Sequence, residues 1–226
     1  MSQLYVLALT SQKYPSLTVD GRRIEFIEVG NVVAAIERRA APPAVSEIEL
    51  RSQHDAVNAL FSQADALLPV RFGAWIDEPE LSNVVLRQQE KILESLELVR
   101  RRVQMTVRFL APPAGEREDQ PPRLHPETGT EYLRARRNAQ QWMPDEAMAL
   151  KTAVRDLVVA ERISPSSEDR GGSFHRASLR QVPSLYHLIA RDAVAAYGTA
   201  TLPFRTATIT ISGPWPPFAF APDPWL

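Results

Sequence analysis

The repeat of the apolar residues is the strongest constraint in this sequence. Over the first 110 residues it switches between two, the period of a half-buried strand, and about 3.6, the period of a helix. Leu4 to Leu9 is a short apolar run that reads as a buried strand. A loop with Pro15 and an Asp20-Gly21 turn follows. Residues 23–29 then alternate for part of their length, and 31–36 are apolar and β-branched. Gly30-Asn31 between them predicts a tight turn and a hairpin. Ala41-Pro42-Pro43 breaks the pattern. Ser46 with Glu49 three residues on has the form of a capping box, and Ile48, Ala56, Val57, Leu60 and Phe61 predict a helix over about 46–63. Leu67 to Phe72 reads as a strand, which Pro69 places at a start or an edge. Asp77 and Glu80 open a second helix, over about 78–101, with Leu81, Val84, Val85, Ile92, Leu96 and Val99 on its apolar face. Val103 to Leu110 alternates as a strand. Strands and helices interleaved around one hairpin predict an α+β fold, with a ferredoxin-like domain over 1–110 and helices on one face of a mixed or antiparallel sheet.

Residues 111–126 carry Pro112, Pro113, Pro121, Pro122 and Pro126 around the charged run Glu116-Arg117-Glu118-Asp119. Such a composition suits a semi-rigid exposed linker; the other reading is a long surface loop within one domain. Beyond it, 127–226 reads as a smaller mixed α/β domain. Its pattern is helical from Gly129 to Ile163, interrupted by Pro144, which cannot donate a backbone hydrogen bond. A strand over 173–182 is expected next, then a helix opened by Pro183, running through Tyr197 and ended by Gly198. Arg205 to Ile211 alternates as a strand, and the chain finishes in an extended aromatic tail, Gly213-Pro214-Trp215-Pro216-Pro217-Phe218-Ala219-Phe220.

Composition excludes more than it assigns. Cysteine is absent, so disulfides and thiolate catalysis or metal binding are ruled out. Formal charges cancel to −1, leaving no global field toward nucleic acid or acidic lipid. The N-terminus lacks the basic and apolar regions of a signal peptide, and no apolar stretch approaches the ~20 residues of a membrane helix. A cytoplasmic protein without cofactor is the expectation. His54, His125, His175 and His187 form no i, i+4 pair, and no nucleophile-elbow, phosphate-loop or dinucleotide fingerprint occurs. Arg100-Arg101-Arg102 suits the end of a helix, where positive charge meets the negative dipole end.

Three local sequences are more specific than packing alone demands. In Leu68-Pro69-Val70-Arg71-Phe72-Gly73, an arginine inside an apolar strand is costly to bury unless paired, which predicts a buried, paired Arg71 guanidinium; Gly73 then permits a turn or close approach. The second is Gly129-Thr130-Glu131-Tyr132-Leu133-Arg134-Ala135-Arg136-Arg137. The third is the tail, whose prolines reduce the entropy lost on docking and whose Trp215, Phe218 and Phe220 offer large contact areas. Intramolecular packing and partner binding both account for such segments.

Taken in this order, with His54-Asp55-Ala56-Val57 ahead of them, the segments at 68–73, 129–137 and 213–218 resemble the signature of the gas vesicle GvpL/GvpF family. The resemblance spans almost the whole chain. Departures are Pro144 within an expected helix and the 101–104 segment, which lacks the Gly and Glu of the family pattern. The resemblance implies a two-domain α+β accessory protein of gas vesicle assembly, not an enzyme, that holds the small apolar shell protein or nucleates its assembly. It implies contact with other gas vesicle proteins, no cofactor, and Arg71, Phe72, Gly73, Tyr132, Trp215, Phe218 and Phe220 as structural or partner-binding residues. A ferredoxin-like ligand-binding protein or enzyme is the rival reading and predicts a deep pocket with convergent polar groups; a nucleic-acid module predicts a continuous basic stripe.

The linker reading makes a direct prediction. Limited trypsin digestion should cut first after Arg117 or Arg123 and release two fragments that persist. Cleavage within 46–63 or 78–101 at a comparable rate would show that 111–126 is no domain boundary.

Overall fold

The computed structural model describes residues 3–109, 145–164 and 184–222. The chain divides into two compact units, Met1–Gln104 with Pro214–Leu226, and Met105–Gly213. The aromatic tail, grouped by sequence with 127–226, thus clusters with the first unit. The expected strand at 173–182 and the proline-rich segment lie outside the described residues.

In the first unit, β1 (Gln3–Thr10), β2 (Leu17–Val19), β3 (Arg22–Val29) and β4 (Val32–Arg39) come in succession. The predicted Asp20-Gly21 turn joins β2 to β3, and Gly30-Asn31 joins β3 to β4. Gly30 has φ 59°, and a Cβ there would collide with the Gln89 side chain. That side chain is engaged: its Oε1 accepts the Asn31 N–H at 3.1 Å. The hairpin register runs from Val29↔Val32 to Glu25↔Ile36, and β1 pairs antiparallel with β4 from Gln3↔Arg39 to Thr10↔Val33. On its other edge β1 takes both β5 (Leu67–Pro69) and β6 (Trp75–Ile76). The sheet order is β2-β3-β4-β1-β5, with β6 also on β1.

Helix α1 (Glu47–Gln63) begins as its capping signature predicts, with Ser46 Oγ accepting the Glu49 N–H at 3.2 Å. The Glu49 carboxylate does not complete the box. It accepts two hydrogen bonds from Arg22, at 2.9 and 3.0 Å, and one from Arg39 at 2.8 Å. Ala56, Val57 and Leu60 of α1 pack on Tyr5, Leu7, Ile24 and Ala35. Leu4 and Val6, on the opposite face of β1, are equally buried, and α2 (Glu78–Arg87) and α3 (Gln89–Val99) pack on β3, β4 and β5. Helices therefore cover both faces of the sheet rather than one. The physical reason is visible in β1, whose apolar residues are consecutive and leave it no polar face.

The second unit holds a four-stranded sheet of order β10-β7-β9-β8, built from β7 (Arg102–Phe109), β8 (Val158–Ser164), β9 (Ser184–Ala190) and β10 (Ile209–Trp215). Helices α4 (Asp145–Val154) and α5 (Val194–Thr201) pack together.

Both units are α+β, as expected, but several particulars differ. The first four strands precede any helix, so the order is not the β-α-β-β-α-β of a ferredoxin-like fold, and β7 joins the second sheet. The helix expected over 78–101 is two helices, because Gln88 leaves helical geometry at φ −114°, ψ 14°. The helical reading of 129–163 holds only for 145–154 among the described residues. Val158 to Ser164 is a strand, paired antiparallel with β9 from Val158↔Ile189 to Ser164↔Ser184. Pairing of β-branched residues across a sheet overrides a helical period there. For the same reason Ser184–Ala190 is a strand where a helix was expected, and α5 starts later and runs past Gly198.

The Glu49 cluster makes acid sensitivity predictable. Hydrogen bonds from Arg22 and then Arg39 hold the Glu49 carboxyl at about 2, against an ordinary 4.5. A depressed carboxyl stabilises the fold above its unfolded value and loses that contribution as pH falls from 4.5 toward 2. Glu49→Gln should cost about 1–3 kcal/mol at neutral pH and flatten the acid limb of the stability curve. Urea titrations at neutral and acid pH would read both effects.

Candidate functional site

The 68–73 segment gains its shape from β1. Ala8 pairs with Pro69 and Tyr5 with Trp75. Between them a register shift in β1 leaves the Leu7 carbonyl to accept the Val70 N–H at 2.9 Å, while the Val6 N–H donates to the Ala74 carbonyl at 2.9 Å. The chain is pinned on both sides, so Arg71-Phe72-Gly73 loops out of the ladder as a three-residue excursion. Gly73, with φ 96°, permits the return. Arg71 is exposed. This corrects the expectation that its guanidinium is buried: the strand ends at Pro69, and Arg71 sits at the tip of a loop instead of inside the sheet.

Phe72 turns inward, half-buried, with its ring edge-on to Tyr5 at 6.2 Å between centroids. The Tyr5 O–H donates to Gln53 Oε1 at 2.6 Å, and Gln53 Nε2 donates to the Val70 carbonyl at 2.9 Å. Gln53 thereby ties the loop to α1. Burial pushes the Tyr5 phenol up to about 12, against a smaller opposing effect of a backbone hydrogen bond from Gly73, so Tyr5 is a neutral donor at any working pH. The Arg39 guanidinium lies over the same ring at 4.4 Å, a cation–π contact that joins the loop support to the Glu49 cluster.

The tail meets the same region. Trp215 lies against His54, the residue after Gln53, with ring centroids 5.8 Å apart. Pro216 and Pro217 are buried. Phe218–Phe220 forms a 3-10 turn that packs on β5, and the Ala219 N–H donates to Gln104 Oε1 at 2.7 Å. Phe220 is 1% exposed, whereas Trp215 and Phe218 are 36% and 40% exposed. One aromatic anchors the tail and two are displayed.

Arg71, Phe72 and Gly73 share one loop held by Gln53, and the tail rests on the neighbouring His54 and on β5. Tyr132 lies outside the described residues. Sequence reasoning missed Tyr5 and Gln53. A signal for Gln53 was present: it is a polar residue in line with Ala56, Val57 and Leu60 on the buried face of α1.

The second unit carries its own polar cluster. His187 is fully buried; its Nε2 lies 3.2 Å from Glu161 and its Nδ1 2.7 Å from the Tyr197 hydroxyl. Lys151 pairs with the other Glu161 oxygen at 2.7 Å. A carboxylate only accepts, so the proton sits on Nε2 and Tyr197 donates to Nδ1. Burial lowers the His187 basicity more than Glu161 raises it.

Among the described residues no group of three or more His, Asp or Glu is placed to hold a metal ion, and no helix is long and apolar enough to cross a membrane. Fold and site together define a two-unit α+β protein that displays aromatic side chains from a docked, proline-stiffened tail.

The family described as "Gas vesicle synthesis protein GvpL/GvpF" matches residues 3–222. The chain belongs to this family. Its fold is similar to the crystal structure of the gas vesicle protein GvpF from Anabaena sp. PCC7120, with a TM-score of 0.68 at 14% identity over 98% of this chain and 97% of that one. It is also similar to GvpF from Microcystis aeruginosa, with a TM-score of 0.69 at 12% identity over 97% and 99% of the two chains. No curated protein sequence matches it.

The His187 geometry predicts a pH effect of definite sign. A histidine whose folded value lies below the ordinary 6.5 contributes stability above 6.5 and loses it as pH falls through that value. Hydrogen exchange should show Leu185–Ile189 less protected at pH 5.5 than at pH 7.5, after correction for intrinsic rates. His187→Gln should remove the difference.

Proposed function

We propose that this chain is an accessory protein of gas vesicle assembly that holds the small, apolar shell protein of the vesicle on the aromatic surface of its tail. The observation that carries the reading is the division of labour among three aromatics. Phe220 is buried as an anchor, while Trp215 and Phe218 stay substantially exposed on a backbone fixed by two buried prolines. Large aromatics held rigidly in water lose little entropy on meeting an apolar partner, and each buries on the order of 150–250 Å². Arg71 adds a cationic donor on a neighbouring, pinned loop. Other gas vesicle accessory proteins are further partners in this reading, and the protein acts by binding, not by catalysis, as a cytoplasmic factor or a minor component of the vesicle.

Thermal melts and shell-protein capture on the same variants test the proposal. Trp215→Ala and Phe218→Ala should reduce capture several-fold with small changes in melting temperature. Phe220→Ala should lower stability by about 3–5 kcal/mol. Arg71→Ala should leave stability near that of the parent, because its side chain is exposed. A Trp215/Phe218 double alanine variant that captures shell protein as well as the parent would overturn the assignment of this surface.

A further inference from the structure

A second surface of the first unit leaves both apolar and acidic groups without partners. Ile48, Arg51 and Asp55 stand at i, i+3 and i+7 of α1 and so share one face of the helix. With Asp20, Arg22 and Glu47 they line an open groove of about 490 Å³ between α1 and the β2–β3 turn, and most of the lining is apolar. Ile48 is 78% exposed. Val45, just ahead of the Ser46 cap, and Leu50, four positions beyond it, occupy the places where a hydrophobic staple forms, yet both are exposed. The start of α1 therefore keeps apolar surface in water.

The cations at this groove are already matched. Arg22 is bidentate to Glu49. Arg39 beside it is shared between Glu49 and Glu37, and Arg51 donates to Glu47 at 2.7 Å. Asp20 and Asp55 are exposed, and among the described residues the side chain of neither makes a hydrogen bond or ion pair. Asp20 adds to the negative field on Arg22. Arg23 projects from the opposite face of β3 and offsets at most one of the two aspartates, so a negative surplus remains.

We infer that this groove docks a basic, apolar segment of a partner protein, with an apolar side chain on Ile48 and a lysine or arginine reaching Asp55. Charge complementarity sets the sign of the occupant: an acidic segment or an anionic lipid surface meets net repulsion here. The apolar lining sets its kind. Ile48 offers no ligand to a metal ion or polyamine, and Arg22 and Arg51 repel a bare cation, whereas a side chain that buries Ile48 gains from the hydrophobic effect. Trp215 meets His54, about 100° around α1 from Asp55, so this inference and the shell-protein reading stand or fall separately.

The test uses the full chain and a fluorescently labelled octapeptide of alternating lysine and leucine, followed by anisotropy. Saturable binding is expected. It should weaken about three- to fivefold in Asp55→Asn and comparably in Ile48→Ser. Asp20→Asn, which suits the positive φ of that turn, should weaken it less. Glu94→Gln, which removes an exposed carboxylate of α3, and the Trp215/Phe218 double alanine variant should bind as the parent does. The melting temperature of Asp55→Asn should match the parent. An octapeptide of lysine alone should bind more weakly than the mixed one. Absence of saturable binding, Asp55→Asn or Ile48→Ser variants that bind as tightly as the parent, or an equal loss in Glu94→Gln or in the tail variant would overturn the proposal. So would a lysine-only peptide that binds as tightly as the mixed one.

Discussion

From Leu4 to Thr10 every residue of β1 is buried, and both edges of the strand are hydrogen-bonded. The remainder of the first unit is arranged around this requirement. One face of β1 is closed by α1, and the other face is buried as well. One edge is completed by β4, the other by β5, two pinning hydrogen bonds and β6. The Arg71-Phe72-Gly73 loop is a by-product of that second edge. A register shift in β1 and the short spans of β5 and β6 leave three residues with no place in the ladder. The feature that displays Arg71 and the feature that closes the core are therefore the same.

Around this core, charge serves to set geometry. Glu49 begins α1, links it to β3 and β4 through two arginines, and brings Arg39 over the Tyr5 ring. Tyr5 then orients Gln53, and Gln53 holds the loop. The Tyr5 hydroxyl, the Gln53 amide and the Val70 carbonyl satisfy one another in turn, which is what makes burial of polar atoms tolerable. The Lys151–Glu161–His187–Tyr197 cluster of the second unit follows the same logic around a neutral imidazole.

The tail divides its residues differently. Its prolines and Phe220 are spent on docking, and Trp215 and Phe218 remain partly in water. A chain that needed the tail only for stability gains more by burying all three aromatics. The proposed shell-protein surface rests on this exposure of two aromatics on a stiff backbone.

The sequence by itself determined what depends on near neighbours. The Asp20-Gly21 and Gly30-Asn31 turns, the β3–β4 hairpin, the Ser46 and Asp77 caps and the span of α1 all follow from turn chemistry, capping and period within a few residues. The family signature was likewise legible, because it is carried by residue types in a fixed order along the chain. Tertiary structure alone decided the rest. Val158–Ser164 and Ser184–Ala190 became strands because each supplied the other's ladder, a partner that no local window contains. Arg71 proved exposed because Leu7 and Val6, more than sixty positions away, capture the chain on either side of it. Nor does anything near Arg22 in the sequence reveal Glu49, 27 positions on, as its partner: a charge shows its sign locally, but whether it is paired or buried depends on which remote element the fold sets beside it.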